Sequence, residues 1–344
     1  MLCFMNGRMV FHRWLWVSLV GVTLLMGSAC GPPPTEGVLP GGPPRAIGAS
    51  ATPTRVQLVP GDLPPHQTAI RLGIVPTIGS EAVRERYAPM ADLFSDLLGI
   101  PVALVVGDSY GDLVDRFVQG EADLALLPPL SFLAAQDRQP AIQPLASKVA
   151  YGTPSYSAFF VVRADDPIQD LAHLKGRRLG FVHRQSTSGY LFPYAALLDV
   201  GLDPRTDFSE VVFLGSHPKA IAALVTGRVD VVCTSSGVQN SMEHALEQDL
   251  IAAPLRLRVL AKAGRIPYDV MAASPGFPAS GVARIRDVLL SLNTLSPMGR
   301  DIWRITGKIT GWMPYVDARY DDVRRTQERV LTHQEQVRGV GDGE

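Results

Sequence analysis

Apolar runs of strand length alternate with apolar runs of helix length along the first part of the chain, and this order constrains the fold most strongly. A β-branched run at 102–106 lies between two segments with helical spacing, 84–98 and 110–119. Strand-like runs at 70–75 and 122–127 lie on either side of these helices. Strands that are separated by helices pair in parallel, with helices on both faces of the sheet. The chain is therefore predicted to be an α/β protein.

The alternation of strand-like and helix-like segments resumes in the middle of the chain, which predicts a second structural unit. Strand-like segments at 157–163 and 255–260 are interpreted as crossings between the two units. The predicted first lobe comprises residues 69–166 and 257–330, and the predicted second lobe comprises residues 167–256. Two lobes that are joined by crossing strands enclose a cleft, and clefts between domains commonly bind small ligands.

The N-terminal residues have the pattern of a secretory signal. Arg8 and Arg13 precede an apolar run at 15–26, which is too short to span a bilayer comfortably and is followed by small residues. Residues 1–29 are therefore predicted to be a signal peptide. A Cys directly after small residues is typical of a bacterial lipobox, so Cys30 is predicted to carry a lipid that anchors the protein to the cell membrane, in a periplasm or at the outer face. The alternative is an ordinary secreted protein with a Cys at this place by chance.

Composition predicts segments without stable structure on both sides of the core. Residues 30–68 are crowded with Pro, Gly, Thr and Ala, a composition that buries too little apolar surface to fold, so they are predicted to be a tether. Residues 331–344 are predicted to be a flexible C-terminal tail. Cys3 leaves with the signal and Cys30 would carry lipid, so Cys233 has no partner and no disulfide framework is expected.

The charge balance argues against nucleic acid as a partner. The chain has 32 Lys and Arg residues against 33 Asp and Glu residues, and it has no basic stripe. The electrostatic footprint of a nucleic-acid-binding protein is therefore absent. The histidines do not show the spacing of metal ligands. We expect no metal and no other cofactor, and we expect a monomer.

A hydroxyl-rich segment has the outline of an anion-binding site. Ser186, Thr187 and Ser188 follow a strand-like run at 178–182 and precede a helix-like run at 194–200. At such a point hydroxyls and unpaired backbone N–H groups face the same way, and the helix dipole favours negative charge. A phosphate-like group would fit there. The alternative is that these hydroxyls only cap the helix.

Several motifs occur in the same order and spacing as in one known family. They lie at 156–168, 174–178, 186–191 with Pro193, 215–217, 227–230, 311–315 and 320–323. In these segments the chain resembles the phosphate/phosphite/phosphonate-binding proteins of ABC importers, over roughly residues 70–323. The resemblance implies a two-lobed, type II periplasmic-binding-protein fold with a ligand cleft between the lobes. It also implies that the protein captures a small phosphorus oxyanion outside the cytoplasm and delivers it to an ABC transporter permease.

The resemblance further implies roles for individual residues. In the family the hydroxyl triplet and the helix N-terminus hold the ligand oxygens, which implies this role for Ser186, Thr187 and Ser188. Four more residues match ligand-binding positions of the family: Tyr110, Tyr156, His217 and Asp230.

The two ionisable residues of this set would act differently on an anion. An Asp beside an oxyanion repels it unless the ligand presents a proton or an amine, so Asp230 is expected to select a protonated oxyanion or an aminoalkyl group and to reject sulfate. His217 could donate to a ligand oxygen in either protonation state. Lys219 adds a cation near the predicted pocket. The alternatives are a turn residue for Asp230, a loop histidine bonded to backbone for His217, and rim or core packing for the tyrosines.

Two other functions are compatible with parts of this pattern. A serine hydrolase could be composed from Ser188, His217 and Asp230, but no G-x-S-x-G elbow is present. A binding protein of the same fold could instead report its ligand to a membrane receptor or kinase. The transport function is preferred over both, and no enzymatic activity is expected.

Overall fold

The computed structural model describes residues 55–294, 297–306 and 308–341. The predicted signal peptide, Cys30 and most of the predicted tether lie outside the described residues. Within the ranges described, every helix is too short or too polar to cross a lipid bilayer.

The strands of the described chain are short, and most are buried along their length. In chain order they are β1 (Ile70–Ile74), β2 (Val102–Val106), β3 (Leu124–Leu127), β4 (Gln143–Ala150), β5 (Ser155–Arg163), β6 (Arg178–Phe181), β7 (Glu210–Phe213), β8 (Val231–Ser235), β9 (Leu257–Pro267), β10 (Val270–Ala273) and β11 (Ile309–Pro314).

The helices alternate with these strands, as the sequence predicts for the first part of the chain. They are α1 (Ser80–Leu98), α2 (Tyr110–Val118), α3 (Pro129–Arg138), α4 (Phe192–Asp199), α5 (His217–Val225), α6 (Val238–Glu247), α7 (Ala279–Ser291), α8 (Pro297–Thr306) and α9 (Asp321–Gly341).

The strands form two sheets, one in each lobe. In the first sheet the order is β11-β4-β10-β3-β1-β2, with β1 parallel to β2 and β3, and with β10 and β11 antiparallel to their neighbours. In the second sheet the order is β7-β6-β8-β5-β9, with β6 parallel to β7 and β8. The predicted α/β class is therefore confirmed. Antiparallel strands are added to each parallel set by the chain that crosses between the lobes.

Apolar side chains pack on both sheets. One buried cluster fills the space between the first sheet and the helices α1 and α7, and it includes Leu72, Phe94 and Val288. A second cluster contains side chains of both lobes, such as Leu113 and Phe160. The two lobes therefore pack against each other as well as against their own helices.

The crossings between the lobes lie at different places from those predicted. β5 and β9 both belong to the second sheet, where they pair antiparallel from Ser155 opposite Pro267 to Arg163 opposite Leu257. The chain therefore enters the second lobe between β4 and β5 and leaves it at Tyr268 and Asp269, between β9 and β10. The predicted boundaries, at residues 166 and 256, were wrong because an apolar run indicates a strand but not the sheet that it joins.

The last part of the predicted tether is packed on the first lobe. The backbone N–H of Val56 donates to the carbonyl of Leu97 at 2.9 Å. Leu58 and Leu63 are buried, and the carboxylate of Asp62 pairs with Arg284 at 3.2 Å. Two leucines within a Pro-rich stretch supply enough apolar surface to anchor it. The tether prediction for residues 30–68 was therefore wrong from about residue 56 onward.

The predicted flexible tail begins inside a helix. α9 continues to Gly341, and its C-terminal half lies on the second lobe. There Nε2 of His333 lies 3.0 Å from the carboxylate of Asp203, and Nε2 of Gln334 donates to the Tyr190 hydroxyl at 2.6 Å. The prediction of a flexible tail was wrong for residues 331–341. The composition of this segment is polar, and it does not indicate that single side chains such as His333 and Gln334 bind the second lobe.

The other end of α9 is fixed to the first lobe. Tyr320 directly precedes the helix and is fully buried. Its hydroxyl donates to the carbonyl of Tyr268 at 3.0 Å and lies 2.9 Å from the hydroxyl of Ser147. One helix therefore contacts both lobes.

Candidate ligand-binding cleft

A cavity of about 430 Å³ lies between the two sheets and is lined by residues of both lobes and of the crossing segments. A larger hollow, of about 790 Å³, lies on the surface between α4 and α9 and is more open to solvent. The cleft is the candidate site because it collects polar side chains from the ends of several strands and helices, where α/β proteins bind ligands.

The hydroxyl triplet lies at the start of a helix, as predicted. The chain leaves β6 and turns through Ser186 into one π-helical turn at Thr187–Leu191, which runs directly into α4. The hydroxyl of Ser186 accepts a hydrogen bond from the N–H of Gly189 at 3.0 Å. Ser186, Thr187 and Ser188 are all buried and line the cavity. Capping the helix and lining an anion-binding site are thus not alternatives, because Ser186 caps the turn that presents the other two hydroxyls. We call this turn, with the hydroxyls of Ser186, Thr187 and Ser188, the cradle.

A glycine permits this turn. A Cβ at Gly189 would lie 2.5 Å from the Cβ of Val182 and 2.9 Å from the hydroxyl of Ser186. The backbone of the turn therefore approaches the end of β6 more closely than any other residue allows.

Thr187 connects the two lobes. Its hydroxyl oxygen accepts a hydrogen bond from the backbone N–H of Leu130, in the first turn of α3, at 3.0 Å. The hydroxyl proton of Thr187 is then free to donate into the cavity.

Two tyrosines line the cavity beside the hydroxyl triplet, Tyr110 buried and Tyr156 half-buried. Tyr110 is 1% exposed at the start of α2, and its hydroxyl has no hydrogen-bond partner among the described residues. Tyr156 stacks on Tyr268 with 4.9 Å between the ring centroids. Burial raises the pKa of Tyr110 and Tyr156 well above the usual range, so both phenols stay protonated and can donate.

His217 is neutral in the cleft. It is the first residue of α5, and its backbone N–H donates to the carbonyl of Thr77 in the first lobe at 3.1 Å. Its Nδ1 lies 2.7 Å from the hydroxyl of Thr234, so Nε2 is the ring nitrogen that remains for a ligand. Burial, with a smaller contribution from the positive charge of Lys308, lowers the pKa of His217 to about 4. The imidazole therefore offers a hydrogen bond and no charge.

Asp230 does not reach the cleft, in contrast to the prediction. Its carboxylate accepts hydrogen bonds from the backbone N–H of Arg178 at 3.0 Å and from that residue's guanidinium at 2.6 Å, and it lies 3.6 Å from Arg163. The hydrogen bond from Arg178 lowers the pKa of Asp230. Asp230 precedes β8 and Arg178 begins β6, so the pair lies at the amino ends of these parallel strands. The hydroxyl triplet follows the carboxyl end of β6, so Asp230 and the triplet lie at opposite ends of the sheet.

The position of Asp230 also excludes a catalytic triad of Ser188, His217 and Asp230. Ser188 and His217 line the cavity, but the carboxylate of Asp230 is bonded elsewhere and cannot orient the imidazole. The partner of the ring nitrogen is the hydroxyl of Thr234. A hydroxyl cannot stabilise an imidazolium as a carboxylate does in a triad.

The carboxylate in the cleft is Asp269, which the sequence analysis missed. It lies in the segment that leaves the second lobe, and it forms an ion pair with the ammonium of Lys148 on β4. The backbone N–H of Lys148 also donates to the carbonyl of Asp269 at 2.9 Å. Asp269 lies just after the long strand β9. Assigning β9 to the second sheet would have placed Asp269 at the crossing between the lobes, and therefore near the cleft.

Two further cations line the cavity from the first lobe. The guanidinium of Arg86, on α1, lies 3.4 Å from the carbonyl of Thr306 and 3.4 Å from Nε2 of His244. Lys308 precedes β11 and also lines the cavity. Lys219, which was expected to add a cation near the pocket, is exposed on α5 and is not among the lining residues.

The lobes contact each other at the mouth of the cleft. The side chain of Gln248 donates to the carbonyl of Ile78 at 2.8 Å, and that of Asn240 donates to the hydroxyl of Tyr151 at 2.7 Å. Hydrogen bonds between lobes at the mouth and at Thr187 describe a cleft in a closed arrangement.

The chain is similar to known proteins over most of its length. It is 25% identical over 286 residues to the phosphate-import protein PhnD of Mycolicibacterium smegmatis, which covers 78% of this chain and 88% of that protein. It is 22% identical over 287 residues to the phosphonates-binding periplasmic protein of Escherichia coli, which covers 82% of this chain and 81% of that protein. The structure of PhnD1 from Prochlorococcus marinus in complex with methylphosphonate superposes with a TM-score of 0.67 at 19% identity, covering 77% of this chain and 98% of that one.

A family model, described as the periplasmic substrate-binding protein of phosphonate ABC transporters, matches residues 72–320. This match confirms the predicted resemblance, and the superposition on the structure from Prochlorococcus marinus confirms the two-lobed fold. It also confirms a transport function, because the members of this family bind substrates for a transporter and are not enzymes. The chain belongs to the family of phosphonate-binding periplasmic substrate-binding proteins of ABC transporters.

Proposed function

We propose that the cleft binds a small phosphorus oxyanion through the hydroxyls of Ser186, Thr187 and Ser188, and that the protein delivers this ligand to an ABC importer. Tyr110, Tyr156 and His217 complete the donor set. The names of the relatives support this ligand class, since they are a phosphate-import protein, a phosphonates-binding protein and a protein in complex with methylphosphonate.

The observation that carries the proposal is the Tyr110 hydroxyl. Among the described residues no group meets it in good hydrogen-bond geometry, although Tyr110 is 1% exposed, lines the cavity and lies close to the Ser186 hydroxyl. A buried hydroxyl without a partner costs about 1–3 kcal/mol. An oxyanion in the cleft would accept from Tyr110 and from the triplet at once, and hydrogen bonds to charged groups are the stronger class.

Calorimetric titration tests this function and the site together. The purified protein is titrated with phosphate, phosphite, methylphosphonate and sulfate at fixed pH and salt. We expect at least one phosphorus oxyanion to bind and none to be consumed. Thr187→Ala should weaken binding of that ligand about 10- to 150-fold, because it removes a hydrogen bond to an ion.

Thr187→Ser is the matched control, because it keeps the hydroxyl at the same place. It should bind within a few fold of wild type. If no phosphorus oxyanion binds the wild-type protein, the proposed ligand class is wrong. If Thr187→Ala binds as tightly as Thr187→Ser, the ligand does not lie in this cradle.

We also propose that Cys30 is lipidated and holds the protein at the membrane as a monomer. The support is the Cys directly after small residues at the end of the signal-like run. A lipid anchor would keep the binding protein close to a membrane-embedded permease and raise its effective concentration there.

A further inference from the structure

The cleft carries more positive than negative charge. Its lining contains three basic side chains, those of Arg86, Lys148 and Lys308, and a single carboxylate, that of Asp269. Two histidines also line the cavity: His217 is neutral, and Nδ1 of His244 lies 2.7 Å from the carboxylate of Glu247, which is not among the lining residues. The excess of cations lies on the first lobe, opposite the hydroxyl triplet.

The carboxylate is already compensated by a lysine. Lys148 and Asp269 form an ion pair in which both side chains are largely buried, with 5% and 17% of their areas exposed. The ammonium of Lys148 also lies 5.2 Å from the centre of the Tyr268 ring, within the range of a cation–π contact. A ligand amine that approached Asp269 would therefore have to compete with Lys148 for the same oxygens.

Lys308 forms no such ion pair. Among the described residues its side chain forms no hydrogen bond and no ion pair, although its backbone N–H donates to the hydroxyl of Thr306 and its carbonyl accepts from the N–H of Tyr151. Burial lowers the pKa of the Lys308 ammonium, and the negative charge of Asp269 nearby offsets this loss of water only in part. An anion in the cleft would supply a partner of opposite charge.

We infer that the cleft selects phosphorus oxyanions that carry no positive charge, and that Lys308 is a further ligand-binding residue. This inference rests on the proposed function and deepens it. The ligands expected to bind are phosphate, phosphite and phosphonates with a small uncharged substituent. Aminoalkylphosphonates are disfavoured, because their ammonium would meet Lys308 and Arg86 beside a carboxylate that is already paired.

The test compares two phosphonates of equal size. 2-Aminoethylphosphonate and n-propylphosphonate have the same number of heavy atoms, and they differ by an ammonium in place of a methyl group. We expect the wild-type protein to bind n-propylphosphonate at least tenfold more tightly. Equal affinity, or preference for the amine, overturns the inference while leaving the proposed function intact. Failure of every phosphorus oxyanion to bind would instead overturn the proposed function, and the inference with it.

Two variants locate the effect in the residues that carry it. Lys308→Met should weaken binding of n-propylphosphonate at least tenfold, whereas Lys219→Met, at an exposed lysine outside the cavity, should leave it unchanged. Lys148→Met leaves Asp269 without its partner and should reverse the preference between the two phosphonates. Circular dichroism melting shows whether each variant is folded. An unchanged affinity in folded Lys308→Met, or an unchanged preference in folded Lys148→Met, contradicts the inference.

Discussion

At the scale of single residues, the sequence predicts the positions of side chains that depend on neighbouring residues. It does not predict the positions of side chains that depend on the order of strands in a sheet. The hydroxyl triplet lies next to a strand and a helix in sequence, so its position at a helix N-terminus follows from neighbouring residues alone. The choice between Asp230 and Asp269 depends on which end of a sheet each one occupies. That information requires the order and direction of strands that are far apart in sequence.

Asp230 should therefore contribute to folding and not to binding. Asp230→Asn removes the charge that accepts from Arg178, and charge-assisted hydrogen bonds stabilise a protein by about 1.5–3 kcal/mol. We expect urea unfolding to show a loss within this range. Ligand affinity should stay within twofold of wild type.

Asp269→Asn is the matched variant in the cleft, and it should change ligand affinity. It frees Lys148 for the ligand, so affinity for the oxyanion should rise. A large loss of affinity in Asp230→Asn with unchanged stability would show that the carboxylate faces the ligand after all.

His217 should make the stability of the ligand-free protein depend on pH. Its pKa is about 4 in the folded protein, against 6.5 in the unfolded chain, so the unfolded state binds a proton first as the pH falls. This contribution is absent above pH 7 and amounts to a loss of about 2 kcal/mol at pH 5. Unfolding in urea at pH 8 and pH 5, for wild type and His217→Gln, measures it.

The difference between the two proteins cancels the titration of all other groups. His217→Gln should lose about 2 kcal/mol less than wild type between the two pH values. His173→Gln, at an exposed histidine, should keep the wild-type dependence. Parallel curves for wild type and His217→Gln would mean that the imidazole is not buried in neutral form.

At the scale of helices and strands, the sequence predicts the first half of the chain better than the second. The strands β1, β2 and β3 and the helices α1 and α2 lie close to their predicted positions, because their apolar spacing is regular and Gly or Pro ends each one. The strand β9 was expected to return to the first lobe, and α9 was partly expected to be a tail. Both depend on contacts with distant segments, which periodicity does not contain.

The π-helical turn at the cradle should be intolerant of any side chain at Gly189. Gly189→Ala places a Cβ 2.5 Å from that of Val182, so the turn must shift away from β6. Overpacking of this kind costs about 1–3 kcal/mol, and the shift should displace Ser186 and its neighbours. We expect a lower melting temperature and weaker ligand binding in the same variant.

Gly276→Ala serves as the control, because a Cβ there would have nothing within 4 Å. Its melting temperature and affinity should match those of wild type. If Gly189→Ala also matches wild type, the turn is not held as closely against β6 as the structure indicates.

At the scale of the whole molecule, the protein is a two-lobed binder, and its proposed attachment to the membrane rests on residues outside the described ranges. The signal pattern and the position of Cys30 follow from residue order alone, because a signal sequence is recognised before the chain folds. The site, in contrast, exists only when both lobes and both crossings are in place. Attachment and ligand binding should therefore be separable.

Lipidation at Cys30 should determine how the protein fractionates. Wild type should partition with membranes, whereas Cys30→Ala should appear in the soluble fraction or retain its signal peptide. Cys3→Ala, within the predicted signal, should behave like wild type. Identical fractionation of wild type and Cys30→Ala would contradict the anchor, and both should bind the ligand equally well once purified.

The helix α9 has a consequence for the energetics of the cleft. It begins beside Tyr320 on the first lobe, and its second half is bonded to Asp203 and Tyr190 on the second lobe. The helix itself lies outside residues 72–320, which the family model matches. Any separation of the lobes must pivot about α9 or break the contacts of its second half. We therefore expect these contacts to raise the population of closed protein before any ligand arrives. Apparent affinity scales with the population that is ready to bind, so part of the affinity is determined on the outer surface of the molecule, by residues that never touch the ligand.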